Sequence, residues 1–234
     1  MLQGSARILE RLEIAIARSF PWMLISAVGL ALMFRVVWPI AIVVILPLII
    51  RGYRTRGGSH LAPYRQMTIG TMAQSFLVVI LVMAIGIGIL SLENPILSWG
   101  WYSLVSEAMG EGSDAANVVV VPLTIPWLAV PFLALLLWLL PDLAATEERV
   151  FRLGTLSWRD GLIRSIGFGA AHLMMGIPIG TVIPLIVTGL WLTWHYFRGG
   201  TEQSTRFHLA YNLWLIGLAT LVLFVLPVLF RLDG

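Results

Sequence analysis

Cysteine and lysine are both absent from this chain, and charge of either sign is scarce. Without cysteine there is no disulfide, no thiolate metal site and no cysteine nucleophile. All 15 basic residues are arginine, a bias for which the sequence offers no functional account. Only 12% of the residues are charged, where a soluble domain usually carries about a quarter. With 59% hydrophobic residues, the chain has too little polar surface to cover a water-facing globule. The composition therefore predicts an all-α, polytopic membrane protein, one domain over residues 1–234. The formal net charge is +3, and the arginines lie between apolar stretches. That distribution speaks of membrane topology and against nucleic acid as a partner.

What is abundant is long apolar runs. A helix needs about 20 apolar residues to cross the hydrocarbon core. Residues 71–92, 117–140, 179–197 and 207–231 meet that length, and 160–176 form a shorter, more polar candidate. Block 20–50 is interrupted by Arg35 and Pro39. It reads as one kinked helix or a tight hairpin. Arginines on both flanks favour two crossings, because cytoplasmic segments are arginine-rich. Residues 93–116 carry Glu93, Glu107, Glu111 and Asp114 and no arginine, as an outer loop should. The stretch with Glu147, Arg149, Arg152, Arg159 and Arg164 is then a cytoplasmic loop, as is the one with Arg198 and Arg206. The sum is about seven membrane segments, six to eight, with a cytoplasmic N-terminus. The start of the chain is amphipathic and does not resemble a cleavable signal. Its Ile8, Leu12, Ala15 and Ser19 share one helical face, which fits a helix lying along the membrane surface or a plain lead-in helix.

Ionisable groups are costly inside a membrane, so four polar stretches stand out. In Glu147-Glu148-Arg149-Val150-Phe151-Arg152, Glu148 and Arg152 are four apart and can pair on a helix, leaving Glu147 available. The plain alternative is a charge cluster beside the membrane. Phe168 and His172 are also four apart, with His172 among small residues that let another helix approach. The alternative there is a packed histidine. His208 and Asn212 repeat the spacing, and either residue alone would pass for helix–helix glue. His195 lies among Trp191, Trp194, Tyr196 and Phe197, and reads as an interfacial anchor in an aromatic belt. Together the first three stretches supply what water activation needs: a carboxylate base, imidazoles to orient the proton, and donors for an oxyanion.

Glu-Glu-x-x-x-Arg, Phe-x-x-x-His and His-x-x-x-Asn, in that order on hydrophobic segments, resemble the CPBP family of intramembrane proteases. That family groups CAAX proteases and bacteriocin-processing enzymes, related to the Ras-converting CAAX endoprotease. The residues that carry the resemblance are Glu147, Glu148 and Arg152, then Phe168 and His172, then His208 and Asn212, separated by 25 and 36 residues from Glu147 to His172 to His208. It covers roughly residues 140–220. One departure is that Leu153 stands where the family has glycine, which follows as Gly154. The resemblance implies a peptide hydrolase of the membrane, its cavity open to the cytoplasm between helices. Residues 1–116 would be family-variable helices and 117–231 the catalytic core. Glu147 and His172 would activate water, His208 and Asn212 would hold the oxyanion, and Glu148, Arg152 and Phe168 would support them. The implied setting is a prokaryotic plasma (inner) membrane, and the implied partner is a membrane-associated peptide or protein, lipid-modified ones included.

No cofactor is needed for that chemistry. The alternative is zinc held by Glu147, His172 and His208, with water in the open position. Glu147 would then be a ligand and not a free base. Two other functions compete: a non-catalytic scaffold or peptide-immunity protein of the same fold, and a proton-coupled transporter. A transporter is disfavoured because no internal repeat is found.

Overall fold

The structure, a computed structural model, describes residues 61–101 and 126–222, all within the unit Arg56–Gly234. The expected surface helix at the start, the 20–50 block, residues 102–116 of the acidic loop 93–116, and the parts 117–125 and 223–231 of two expected spans lie outside these residues. Among the described residues every regular element is helical and there is no strand.

Helix α1 is Ile69–Leu90. Thr68 caps it by accepting from the Thr71 amide at 3.1 Å, satisfying one of the donors a helix start leaves open. Helix α2 is Pro126–Phe151. It corrects the expected loop after residue 140: "DLAATEERVF" contains no breaker, so the helix runs on through both glutamates. The chain turns only at Gly154, whose φ of 79° suits glycine. Helix α3 is Trp158–His172. The Ser157 hydroxyl accepts from the Asp160 amide at 3.2 Å, and Asp160 accepts in return from the Leu156 amide at 3.3 Å. That exchange fixes the helix start. At 15 residues, α3 rises about 22 Å, short of the roughly 30 Å hydrocarbon core.

Helix α4 is Val182–Thr220, broken at Gly199 and Gly200. Gly200 has φ 67° and ψ −166°, a region essentially restricted to glycine. The break folds α4 into two antiparallel arms, 182–198 and 201–220. Thr188 meets Tyr211, and His195 meets Phe207, across the pair. Spans 179–197 and 207–231 were expected, with a cytoplasmic loop carrying Arg198 and Arg206 between them. Nothing after Gly200 breaks a helix, so residues 201–206 are helical and place His208 two turns inside the second arm.

Helix α1 packs along both arms, with Val79 and Val82 against Tyr211. Leu140 and Ala144 of α2 meet Leu209. Helix α3 approaches the first arm through glycine: a Cβ on Gly169 would lie 2.8 Å from the Val182 carbonyl oxygen, and one on Gly189 would lie 2.8 Å from Ser165 Cβ. The outward faces are apolar, with Ile69, Leu77, Leu81 and Ile87 on α1 and Trp158 and Ile163 on α3 exposed. Ile69–Leu90 and Ile179–Thr220 are each long and apolar enough to cross a membrane.

Candidate active site

The last turn of α2, the middle and end of α3, and the second arm of α4 converge on Glu148. Its side chain is fully buried, as is that of Arg152 one turn later. A buried carboxylate is expensive unless it is paired and hydrogen-bonded. His208 Nδ1–H donates to Glu148 Oε1 at 2.8 Å, and Arg152 Nε stands 3.7 Å from Oε2. The pairing with Arg152 read from the four-residue spacing is therefore present, but the closer partner is His208. Glu148 lies beyond the apolar stretch that ends at Leu140. Burial pushes its carboxyl up, but the His208 hydrogen bond, the Arg152 and His208 charges and the Ser204 hydroxyl outweigh burial and hold it below the usual carboxylate value.

Arg152 is itself held in place. Its Nη2 donates to the Gly189 carbonyl at 3.2 Å, and its guanidinium carbon lies 4.4 Å from the centre of the Phe168 ring. A guanidinium over an aromatic face gains from the ring quadrupole. The extra Leu153 is accommodated by facing outward, 56% exposed. Gly154 then donates its amide to the Tyr196 hydroxyl at 3.1 Å.

The Glu148 carboxylate accepts and cannot donate, so His208 carries a proton on Nδ1. Its other nitrogen, Nε2, stands 3.6 Å from Glu147 Oε2. Glu147 is 36% exposed, so one glutamate orients the imidazole from inside and its neighbour meets the same ring from the accessible side. Phe168, 1% exposed, is wedged between the two histidines. Its ring stands edge-on to His172 with centroids 4.6 Å apart and to His208 at 5.7 Å.

His172 Nδ1–H donates to the Phe168 carbonyl at 2.8 Å. A carbonyl only accepts, so the neutral ring keeps its lone pair on Nε2. Asn212 is half-buried, one turn beyond His208 on the same face, and its side chain makes no hydrogen bond among the described residues. The seven residues singled out by the three motifs thus belong to one region.

Two residues were missed or misread in the sequence. Ser204 is fully buried one turn before His208, and its hydroxyl donates to the Thr201 carbonyl at 3.2 Å; its signal was that place on the helix. His195 is no interfacial anchor. It is 2% exposed, sandwiched within the α4 hairpin, because the turn at Gly199 and Gly200 folds the second arm over it. Compared with protein-family models, curated proteins and solved structures, the chain matches none.

Proposed function

We propose that this chain is an intramembrane endopeptidase of the CPBP type that hydrolyses a peptide bond by glutamate-activated water. The observation that carries this reading is the placement of His208 between the two glutamates, with Nδ1 on Glu148 and Nε2 facing Glu147. A charged cluster that merely obeys membrane topology has no need of a buried carboxylate orienting an imidazole towards an accessible one.

In this mechanism Glu147 takes one proton of a water molecule, and the lone pair on His172 Nε2 accepts the water's other hydrogen and orients it. The water oxygen bonds to the peptide carbonyl carbon, and the carbonyl electron pair moves to its oxygen. The Asn212 amide donates to that oxyanion, beside the His208 ring that Glu148 orients. On collapse the C–N bond breaks and Glu147 returns its proton to the departing amine, leaving a carboxylic acid and an amine. Arg152 and Phe168 hold Glu148 and the two rings in place.

The same reading carries the finer topology: about seven crossings, a cytoplasmic N-terminus, and a site opening to the cytoplasm of a prokaryote. The substrate class is membrane-associated peptides or protein tails. The test is cleavage of an internally quenched peptide library by purified protein in detergent, with and without a chelator. Cleavage that survives the chelator and is lost in Glu147→Gln and His172→Ala is the expected result. Full activity in either variant sinks the mechanism, and chelator-sensitive cleavage restorable by zinc replaces it with the metal one.

A further inference from the structure

His195 is a buried histidine with no part in the mechanism above. Its ring lies flat on Phe207, with centroids 3.4 Å apart and planes 16° from parallel. Trp191 and Trp194 meet it edge-on at 5.0 Å and 4.6 Å. Its Nδ1 lies 3.3 Å from Gln203 Nε2, which donates to it. Nε2 is buried with no partner. Gln203 and Phe207 are one turn apart on the second arm, so one side chain of the first arm grips two successive turns of its neighbour.

We infer that His195 is a positioning residue for His208: its stack on Phe207 fixes the register of the two arms, and so the place of His208 between Glu147 and Glu148. Phe207 immediately precedes His208. A helix slipping by one residue moves about 1.5 Å along its axis, enough to break a 2.8 Å hydrogen bond such as that from His208 to Glu148. Other cross-arm contacts are Trp191 edge-on to Phe207 at 5.6 Å, Trp191 near Tyr211 at 6.4 Å, and Thr188 to Tyr211 at 3.3 Å. On the first arm all of these lie farther from the turn at Gly199 and Gly200 than His195 does. The first arm is also tied to α2 through the Gly189 carbonyl on Arg152. The His195 stack completes that frame by tying the first arm to the second.

The inference rests on the peptidase reading for its kinetic readout, and a second readout is independent of it. His195→Phe keeps a flat ring on Phe207 and loses the imidazole nitrogens; His195→Ala loses the ring. Using the library peptide cleaved fastest by the unaltered chain, His195→Ala is expected to lower kcat at least tenfold with KM unchanged, and His195→Phe to stay within about threefold. In parallel, the downfield proton on His208 Nδ1, bonded to Glu148, is followed by NMR in detergent. It is expected to persist in His195→Phe and to broaden or move upfield in His195→Ala. Should His195→Ala not fold, Phe207→Leu removes the other half of the stack and takes its place. Equal loss in the Phe and Ala variants overturns the inference in favour of a role for the nitrogens. An unchanged kcat and proton signal in His195→Ala overturns it outright. If the unaltered chain cleaves no peptide, the peptidase reading fails by itself and the His208 signal alone decides this one.

Discussion

Glu148 is fully buried and Glu147 is 36% exposed, although they are neighbours in the chain. The sequence alone showed that Glu148 could pair with Arg152 and that Glu147 was out of register. It did not show that His208, 60 residues on, takes the nearer place, because that contact depends on how the α4 hairpin folds. The two carboxylates should therefore fail differently. Glu148→Ala leaves the Arg152 guanidinium buried without its counter-charge, and removing one partner of a buried pair destabilises by about 3–5 kcal/mol. Glu147→Gln removes a half-exposed carboxylate and should change stability by less than about 0.5 kcal/mol. Thermal unfolding in detergent measures both, and equal losses would undo the division of roles. There is also a pH signature. Glu148 is held below the usual carboxylate value, so its stabilisation is complete above that value and fades as pH falls through the lower value of the folded chain. An acid unfolding curve should show that limb in the unaltered chain and not in Glu148→Gln. Asn212→Ala removes one oxyanion donor and should lower kcat by about 10²–10³, with the fold intact by circular dichroism.

At the scale of elements, the boundaries that sequence patterning found were those set by apolar length: 71–92 was expected and Ile69–Leu90 is observed. It failed where helical sequence continues past the apolar stretch. Residues 142–151 carry Asp142, Glu147, Glu148 and Arg149 and read as a loop, yet they contain good helix formers, and the helix runs past Pro141 to Phe151 before the turn at Gly154. Charge marks where a segment leaves the greasy interior; only backbone chemistry marks where it stops being a helix. The α4 hairpin makes the same point. Its turn depends on Gly200, at φ 67° and ψ −166°. Gly200→Ala forces a side chain into that region and should cost about 1–3 kcal/mol. Because the turn lies within eight residues of both His195 and His208, activity should fall with stability. The comparison is a differential scan beside a cleavage assay; an unchanged melting temperature would mean the turn tolerates a Cβ and the strain argument is wrong.

For the whole molecule, the expected topology sorts loops onto two sides by charge, and among the described residues contacts join connecting segments at each end of the helices. At one end, Trp101 Nε1–H donates to the Leu173 carbonyl at 2.8 Å, and the Ile179 amide donates to the Trp99 carbonyl at 2.9 Å. That joins the start of the acidic loop to the turn between α3 and α4. At the other end, Gly154 meets Tyr196, and Trp158 stands edge-on to Phe197 with centroids 5.1 Å apart. That joins the arginine-bearing α2–α3 junction to the α4 hairpin turn. The glutamates and His208 lie towards this second end, which the proposed topology puts in the cytoplasm. The absence of cysteine makes the orientation directly measurable. Ser98 and Glu202 are both exposed, one at each end. Single Ser98→Cys and Glu202→Cys variants in a bacterial inner membrane should react with a membrane-impermeant maleimide from opposite sides. Glu202→Cys should label in inside-out vesicles, and Ser98→Cys in intact spheroplasts. Labelling of both from one side would mean that α1 and the α4 arms do not cross the bilayer as proposed. Labelling from opposite sides but in the reverse sense would keep the crossings and turn the opening of the site to the outside, where the substrate would have to be sought among exported peptides.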